Sequence, residues 1–487
     1  MRDTAREPGD DVVLNLDLLV RATGATVLAR GPERFTGAFI DGRAVVPGGL
    51  WFAIRGERFD GHDFAAQAIA SGAAGLVIAR ERAAGFAIPP GVTVVAVDDT
   101  VRALGDYARA WRMGFPSLKV VGVAGSNGKT TTKEMVAAIL AAAAGPLSVH
   151  KTDGNLNNHL GVPLTLLRLA PAHRYAVVEM GMSGLGELAY LAELARPDVA
   201  VVTSIGPEHL EMLHTVENVA RAEGEIFAAL GPAAVAVTPD DEPLIAPFAA
   251  ASRALWRLRF GVAPGVPVRI VRADARPTGT DLELRLPDGS AVATRLAMVG
   301  AHNASNAAAA AACAWALGIP GEAIGRGLAL ARTAKHRSTL VEVGGRHVID
   351  DCYNASPPSV NAALEALSAF ARQSGSRAVA VLGDMLELGG NEDLLHREVG
   401  ARAVRVGIDE LIAVGPRARH FVEGALTAGL PRSRAHHVDT VEQAVSLAAS
   451  ATAPGDYLLV KASRGGRLER VIDGLAAHLA APQQGTG

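Results

Sequence analysis

The sequence predicts an α/β protein of three domains: a small α/β domain, a central parallel-sheet domain with a P-loop and an antiparallel insertion, and a C-terminal Rossmann-like α/β domain. Three observations carry that expectation. A chain of 487 residues is too long for one ordinary hydrophobic core. From about residue 117 onward, apolar strand-like runs alternate with helical patterns, as βα units around a parallel sheet do. And AGSNGKTTTKEM, Ala124 to Met135, puts a glycine turn and a lysine between one such strand and a helix.

Composition narrows the class of protein. Hydrophobic residues make up 49% and charged residues 20% of the chain, enough to bury sizeable cores and to exclude a disordered protein. A net charge of −3 gives no electrostatic case for nucleic-acid binding. Two cysteines, Cys313 and Cys352, exclude a disulfide scaffold and suit a reducing compartment. The start, MRDTAREPGDD, is charged and lacks the apolar core of a signal peptide. Alanine-rich runs near 136–144 and 307–317 are shorter than a membrane span, so packed helices are expected there. A soluble, cytoplasmic protein without membrane insertion follows. Lysine is scarce: six lysines (119, 129, 133, 151, 335 and 461) stand against 41 arginines. Where arginine is the default cation, a lysine marks a place that needs a compact ammonium.

The first domain is expected over residues 1–114, where runs such as VVLNLDLLV, GLVIA and VTVVAV end at the punctuation GFP. The central domain is expected over 115–332. Its strands are LKVVGVA, YAVVEM, DVAVVTSI and AAVAVTP, and alternating runs between about 266 and 299, with the turn PDG, predict antiparallel hairpins. The third domain is expected over 333–480, with strands HVIDD, AVAVLGD, ELIAVG and YLLVKA, and a disordered tail over 481–487.

The opening motif suits a phosphate site. Gly125 and Gly128, with Ser126 and Asn127 between them, would let backbone N–H groups approach a phosphate at a helix N-terminus. Lys129 can reach the β- and γ-phosphates, and the Thr130 hydroxyl can bind magnesium. The usual spacing would put a further glycine at Val123, where this chain has none.

Other motifs fall at strand ends, where open α/β sheets bind ligands. In HKTDGNLNNHLGVPLTLL, Lys151, Asn157 and Asn158 crowd a polar loop and offer donors to an anionic substrate, or serve as turn and cap chemistry. Glu179 ends a strand in AVVEMGMSGLGE and is a candidate magnesium ligand; His209 in TSIGPEHLE lies at the same edge. Asn303 and Asn306 sit one turn apart at the start of a helix, on one face, where one could cap and the other contact a base. In the third region Lys335, Arg337, Asp350 and Asp351 could meet ribose and phosphates, while Lys461, Ser463 and Arg464 could hold a carboxylate.

Taken in this order, these segments resemble the Mur ligase family of ATP-dependent amide-bond-forming enzymes over nearly the whole chain. GNLNNHLGVPLTLL, EMGMSGLGE, IGPEHLE, DDCYNASPPSV and VLGDMLELG resemble the branch that adds D-alanyl-D-alanine, and DGRAVVPGGLWFAIRGERFDGHDF resembles its first domain. The family's phosphate loop lacks the distal glycine, so Val123 is expected. The resemblance implies ligation of D-alanyl-D-alanine to a UDP-N-acetylmuramoyl (UDP-MurNAc) tripeptide, with ATP and Mg2+ as cofactors, by a monomer. Carried over motif by motif, Lys129, Glu179, His209 and Arg337 would be catalytic. Gly125 to Thr131, with Asn303, Asn306, Arg337 and Asp351, would bind ATP, and Thr130, Glu179, His209 and Glu223 the metal. Asp41, Arg43, Asn157, Asn158, Tyr353, Asn354, Lys461, Ser463 and Arg464 would bind substrates.

Two departures stand out. In ENVARAEGEIF the family usually has a lysine where this chain has Glu223; that lysine becomes a carbamate that holds the second magnesium. No lysine lies between Lys151 and Lys335, so Glu223 is expected to supply a permanent carboxylate, through a bridging water or a moved helix. Gly42 stands where related chains commonly carry serine near the uridine diphosphate. Two alternatives remain open at this point: the sibling that adds a diamino acid to the muramoyl dipeptide, and a non-catalytic nucleotide-binding regulator of the same fold. The sibling's Asp-Asn-Pro-Arg run is missing here.

Overall fold

The computed structural model describes residues 12–43, 45–87, 90–276, 279–298, 300–333 and 335–480, so the tail expected to be disordered lies outside the described residues. In the first sheet, β1 (Thr26–Ala29), β2 (Ala38–Phe39), β3 (Leu50–Phe52), β4 (Gly75–Ala79) and β5 (Thr93–Val97) lie in the order β1-β5-β4-β3-β2. Only β1 is antiparallel to its neighbour. Helix α1 (Thr100–Met113) starts at Asp99, whose carboxylate accepts the N–H groups of Val101 and Arg102. It leads out of this sheet and packs on the next unit. There the Trp111 indole donates to the Leu169 carbonyl (3.1 Å), and the buried Arg112 guanidinium to that of Ala195 (3.0 Å). Phe35 and Phe52 thus share one buried cluster with Tyr107, Leu164 and Val178.

The central sheet has nine strands: β6 (Lys119–Ala124), β7 (Val149–Lys151), β8 (Tyr175–Glu179), β9 (Val199–Val202), β10 (Val235–Pro239), β11 (Trp256–Gly261), β12 (Val268–Arg276), β13 (Gly279–Arg285) and β14 (Ala291–Leu296). Their order is β14-β13-β12-β11-β10-β9-β6-β8-β7. The antiparallel hairpins expected from the sequence are β12 to β14, and they continue the parallel sheet through the β11–β12 pairing. Strand β6 is buried on both faces, Val120 and Ala124 toward one core, Val121 and Val123 toward the other. This two-sided burial explains an apolar run without alternation. Helices α2 (Lys129–Ala144), α3 (Val216–Gly224) and α4 (Ala301–Ala316) follow in sequence. Ala307 to Ala312 of α4 are fully buried within the same core as Val136, Ile139 and Leu140 of α2. Small side chains there let the helices approach closely. Among the described residues no helix is long and apolar enough to cross a membrane.

The third sheet takes β15 (Thr339–Val343), β16 (Arg346–Asp351), β17 (Ala378–Gly383), β18 (Glu410–Val414), β19 (Ala435–Val438) and β20 (Tyr457–Lys461) in the order β15-β16-β20-β17-β18-β19, with β15 antiparallel. Helix α5 (Pro357–Ser374) follows β16. Register sets the functional edges. Val123 is paired with Glu179 on one side and Val201 on the other, so β6, β8 and β9 end together. In the third sheet Asp351 is opposite Lys461.

Candidate active site

Two glycines of the loop after β6 are required by geometry. Gly125 has φ +118°, and a Cβ there would come within 2.4 Å of Thr203 Oγ1. Gly128, at φ +88°, caps α2, and a Cβ would fall 2.2 Å from Asn306 Oδ1. Both conformations are left-handed ones that side chains resist. Val123, by contrast, is fully buried inside β6. It belongs to the strand and not to the turn, which is why no glycine is needed there. The loop is pinned from the end of β9: Thr203 Oγ1 donates to the Asn127 carbonyl (2.5 Å), Asn127 N–H donates to Ser204 Oγ (3.0 Å), and Gly206 N–H donates to Ser126 Oγ (2.9 Å).

Lys129 folds back over this loop, and its Nζ donates to the carbonyls of Gly125 (2.5 Å) and Ser126 (3.3 Å). Three carboxylates surround it. Glu208 Oε2 stands 3.6 Å and Glu223 Oε1 4.0 Å from Nζ, and Glu179 adds to the field. Burial disfavours the ammonium, but the three carboxylates outweigh it and hold the Lys129 pKa above the usual lysine value. Glu223 is fully buried on α3, and its Oε2 accepts the Gly125 N–H at 2.7 Å. The carboxyl therefore reaches the phosphate loop directly. Burial, opposed in part by Lys129 and reinforced by the neighbouring Glu208 carboxyl, pushes its pKa up to about 8.

Glu179 is 2% exposed. Its Oε1 accepts from the Asn157 amide at 2.8 Å, and its backbone N–H donates to Thr152 Oγ1 at 3.0 Å. Oxygens Glu179 Oε2, Glu208 Oε1 and Glu223 Oε1 are buried with no hydrogen-bond partner. Orphaned carboxylate oxygens of this kind suit a hard divalent cation such as Mg2+. Among the described residues no three His, Cys, Asp or Glu side chains are gathered as a ready cage. A cation here would share its shell with nucleotide phosphates, as magnesium commonly does.

The third domain closes over this edge. Ser356, the N-cap of α5, donates to Asn127 Oδ1 at 3.0 Å. His209, held in the left-handed region at φ +50°, places Nδ1 2.6 Å from Glu387. That hydrogen bond raises the His209 pKa above the ordinary histidine value. Arg337 stacks on Tyr353 with its guanidinium carbon 4.0 Å from the ring centre, and its charge acts on Lys129. It is carried on a short linker in which His336 (φ +62°) and Ser338 (φ +48°) are both left-handed.

Other expected residues have local partners. Asn306 packs against the loop glycine and donates to Asn303 Oδ1 at 3.3 Å, both buried; neither caps α4, which Gly300 precedes. Asn158 Oδ1 accepts the N–H groups of Leu160 and Gly161, so it serves as turn chemistry. Lys151 pairs with Glu134. Asp351 accepts from Ser338 N–H (3.0 Å) and from the buried Lys461 ammonium (2.5 Å), which also donates to the Asn354 carbonyl (2.9 Å). Asp350 meets His336 at 2.7 Å. Ser463 Oγ accepts the Leu386 N–H at 3.0 Å, while the exposed Arg464 reaches Glu469 at 3.1 Å. Lys335 is exposed. Asp41 and Arg43 pair with each other on the surface of the first domain, 2.7 Å between Oδ2 and the guanidinium. Sequence reasoning passed over Glu208, although it adjoins His209 in IGPEHLE. It also passed over Ser356 and Glu387, which nothing local distinguishes from ordinary cap and loop residues.

Comparison with known proteins gives one consistent match. Family models described as "Mur ligase family, catalytic domain", "Mur ligase middle domain" and "Mur ligase, glutamate ligase domain" match residues 34–112, 123–314 and 336–464. The UDP-N-acetylmuramoyl-tripeptide--D-alanyl-D-alanine ligase of Bacillus subtilis is 35% identical over 441 residues, 90% of this chain and 93% of that one. Among solved structures, MurF from Acinetobacter baumannii superposes with a TM-score of 0.86 at 31% identity, covering 96% of this chain and all of that one. MurF ligase from Thermotoga maritima, solved in complex with ADP, does so at 0.78 and 30%, covering 91% and 97%.

Proposed function

The chain belongs to the Mur ligase family, and from that membership we infer that it is an ATP-dependent ligase joining D-alanyl-D-alanine to UDP-MurNAc-tripeptide. The observation that carries the reading is the lysine-centred phosphate loop, ringed by three carboxylates and covered by the third domain.

The chemistry asks two anions to meet. The tripeptide's terminal carboxylate takes the γ-phosphoryl group of ATP, giving an acyl phosphate and ADP. The amine of D-alanyl-D-alanine then attacks the acyl carbon, and the tetrahedral intermediate expels phosphate and loses the amine proton. The N-terminal end of α2 and the Lys129 ammonium hold the phosphates, and Arg337 faces them from the third domain. Asn303 and Asn306 support the loop from α4, with Gly128 packed against Asn306. Thr130, Glu179, His209 and Glu223 would hold Mg2+, which would supply positive charge between the two anions. With Nδ1 held by Glu387, His209 Nε2 stands on the side of Glu208, 4.0 Å from its carboxylate. Closure of the third domain over the loop excludes water that would hydrolyse the acyl phosphate.

Substrate contacts follow the same logic. Asp41 and Arg43 would meet the UDP end on the first domain, with Asn157 and Asn158 along the peptide. Tyr353, Asn354 and Ser463 would line the dipeptide side. Of its two cations, the Arg464 side chain is 58% exposed and free to turn toward a carboxylate, whereas Lys461 is 3% exposed and bound by Asp351. Phosphate release decides the reading: purified UDP-MurNAc-tripeptide or dipeptide is offered with D-alanyl-D-alanine or a diamino acid. Turnover is expected with tripeptide and D-alanyl-D-alanine. Turnover only with dipeptide and a diamino acid, or with no pair, overturns it.

A further inference from the structure

Lys133 lies one turn into α2 and is 1% exposed, among the largest fully buried side chains of the protein. Burying an ammonium is costly unless it is paired and hydrogen-bonded. Its Nζ donates to the Thr152 carbonyl (2.9 Å), stands 3.2 Å from Glu134 Oε1, and faces Glu179 Oε2 at 3.6 Å. That Glu179 oxygen is buried and has no hydrogen-bond partner. Thr152 completes a bracket: its carbonyl takes Lys133, and its hydroxyl takes the Glu179 N–H. Asn157 holds the other Glu179 oxygen. Lys133 therefore couples the helix that opens at the phosphate loop to the strand end that carries Glu179.

We propose that Lys133 is a positioning residue of the ligation reaction, fixing the orientation of the Glu179 carboxylate toward the phosphate loop and balancing its charge. The chain spends one of only six lysines here. A guanidinium is bulkier and planar, and would not fit three convergent oxygens from a helix as the compact ammonium does. Removing the ammonium leaves Glu179 beside Glu134 without the cation that faces both, so the Glu179 carboxylate is expected to turn away. That change weakens its hold on a divalent cation.

The proposal rests on the ligase reading, and the wild-type assay in the same series tests that reading separately. Lys133→Met removes charge and donors; Lys133→Gln keeps a donor for the Thr152 carbonyl and serves if the methionine variant does not fold. The half-saturating magnesium concentration for phosphate release is measured, together with ADP affinity by calorimetry with and without magnesium. Loss of a supporting partner around a metal ligand typically costs about 10- to 100-fold. A rise of that order in the magnesium requirement is expected, with metal-free ADP affinity changed less than about threefold. The same Lys133 change in a Glu179→Gln background is expected to add nothing, because its target is gone. An unchanged magnesium requirement in the folded single variant, or a full additional effect in the Glu179→Gln background, overturns the proposal. A wild-type enzyme without ligase turnover sinks the ligase reading instead, while the calorimetric cycle still judges Lys133.

Discussion

Replacing Glu223 with glutamine separates what this residue costs the fold from what it does in the site. The side chain is fully buried, and Gly125 N–H donates to its Oε2. Glutamine keeps the shape and that acceptor, and its amide can donate to Glu208. Burial and the nearby Glu208 carboxyl raise the Glu223 pKa from 4.5 to about 8. Below pH 4.5 folded and unfolded chains are both protonated here, and the contribution to stability is fully present. Between 4.5 and 8 the unfolded chain releases a proton that the folded chain keeps, so stability falls as pH rises through that window and levels off above it. A shift of that size corresponds to at most about 5 kcal/mol at the alkaline end. Melting curves of metal-free wild type and Glu223→Gln, run in chelator from pH 5 to 8.5, are the assay. The variant is expected to match wild type near pH 5 and to exceed it progressively toward pH 8.5. In phosphate release it should need more magnesium, because an amide is a poorer ligand than a carboxylate. Parallel melting curves across the whole range would refute the reasoning, since they would mean that no charge is being buried.

Three further outcomes are expected. On the proposal that Glu223 itself supplies the carboxylate to the metal, turnover should be equal in carbon-dioxide-depleted and bicarbonate-supplemented buffer; stimulation by bicarbonate would show that a carbamate elsewhere is needed. Gly128→Ala would force a Cβ to 2.2 Å from Asn306 Oδ1 at φ +88°, costing roughly 2–4 kcal/mol and most ADP binding; calorimetry with near-normal ADP affinity would contradict this. Burial and the stacked His173 lower the His150 pKa to about 4. Its contribution is therefore intact above pH 6.5 and is lost as pH falls toward 4, by up to about 3 kcal/mol. His150→Gln should show a flatter urea midpoint over that range, and an unchanged slope would rule out the assignment.

Much of the architecture was legible because parallel sheets leave a strong mark. LKVVGVA reads as a strand and is one, buried on both faces, and the alternation after PVR reads as hairpins and forms β12 to β14. The cluster around the loop was legible in part. Lys129, Glu179 and Glu223 stood out by motif, and all three meet at one edge. Glu208 did not, because a glutamate beside a histidine in a loop has no periodic or spacing signal. Lys461 and Asp351 were read as ligand contacts, yet a register of adjacent parallel strands makes them partners of each other.

By itself the sequence determined what local chemistry and periodicity dictate: the alternation of strands and helices, the glycine turn, the scarcity of lysine and the family resemblance. These depend on neighbours within a few residues, where backbone conformation and burial period are encoded directly. Only the tertiary structure decided which charges face each other. Gly125 and Glu223 are 98 residues apart, and Asn127 and Ser356 are 229 apart. Such contacts depend on strand order and domain packing, which place distant residues within hydrogen-bond reach and leave no trace in the spacing along the chain.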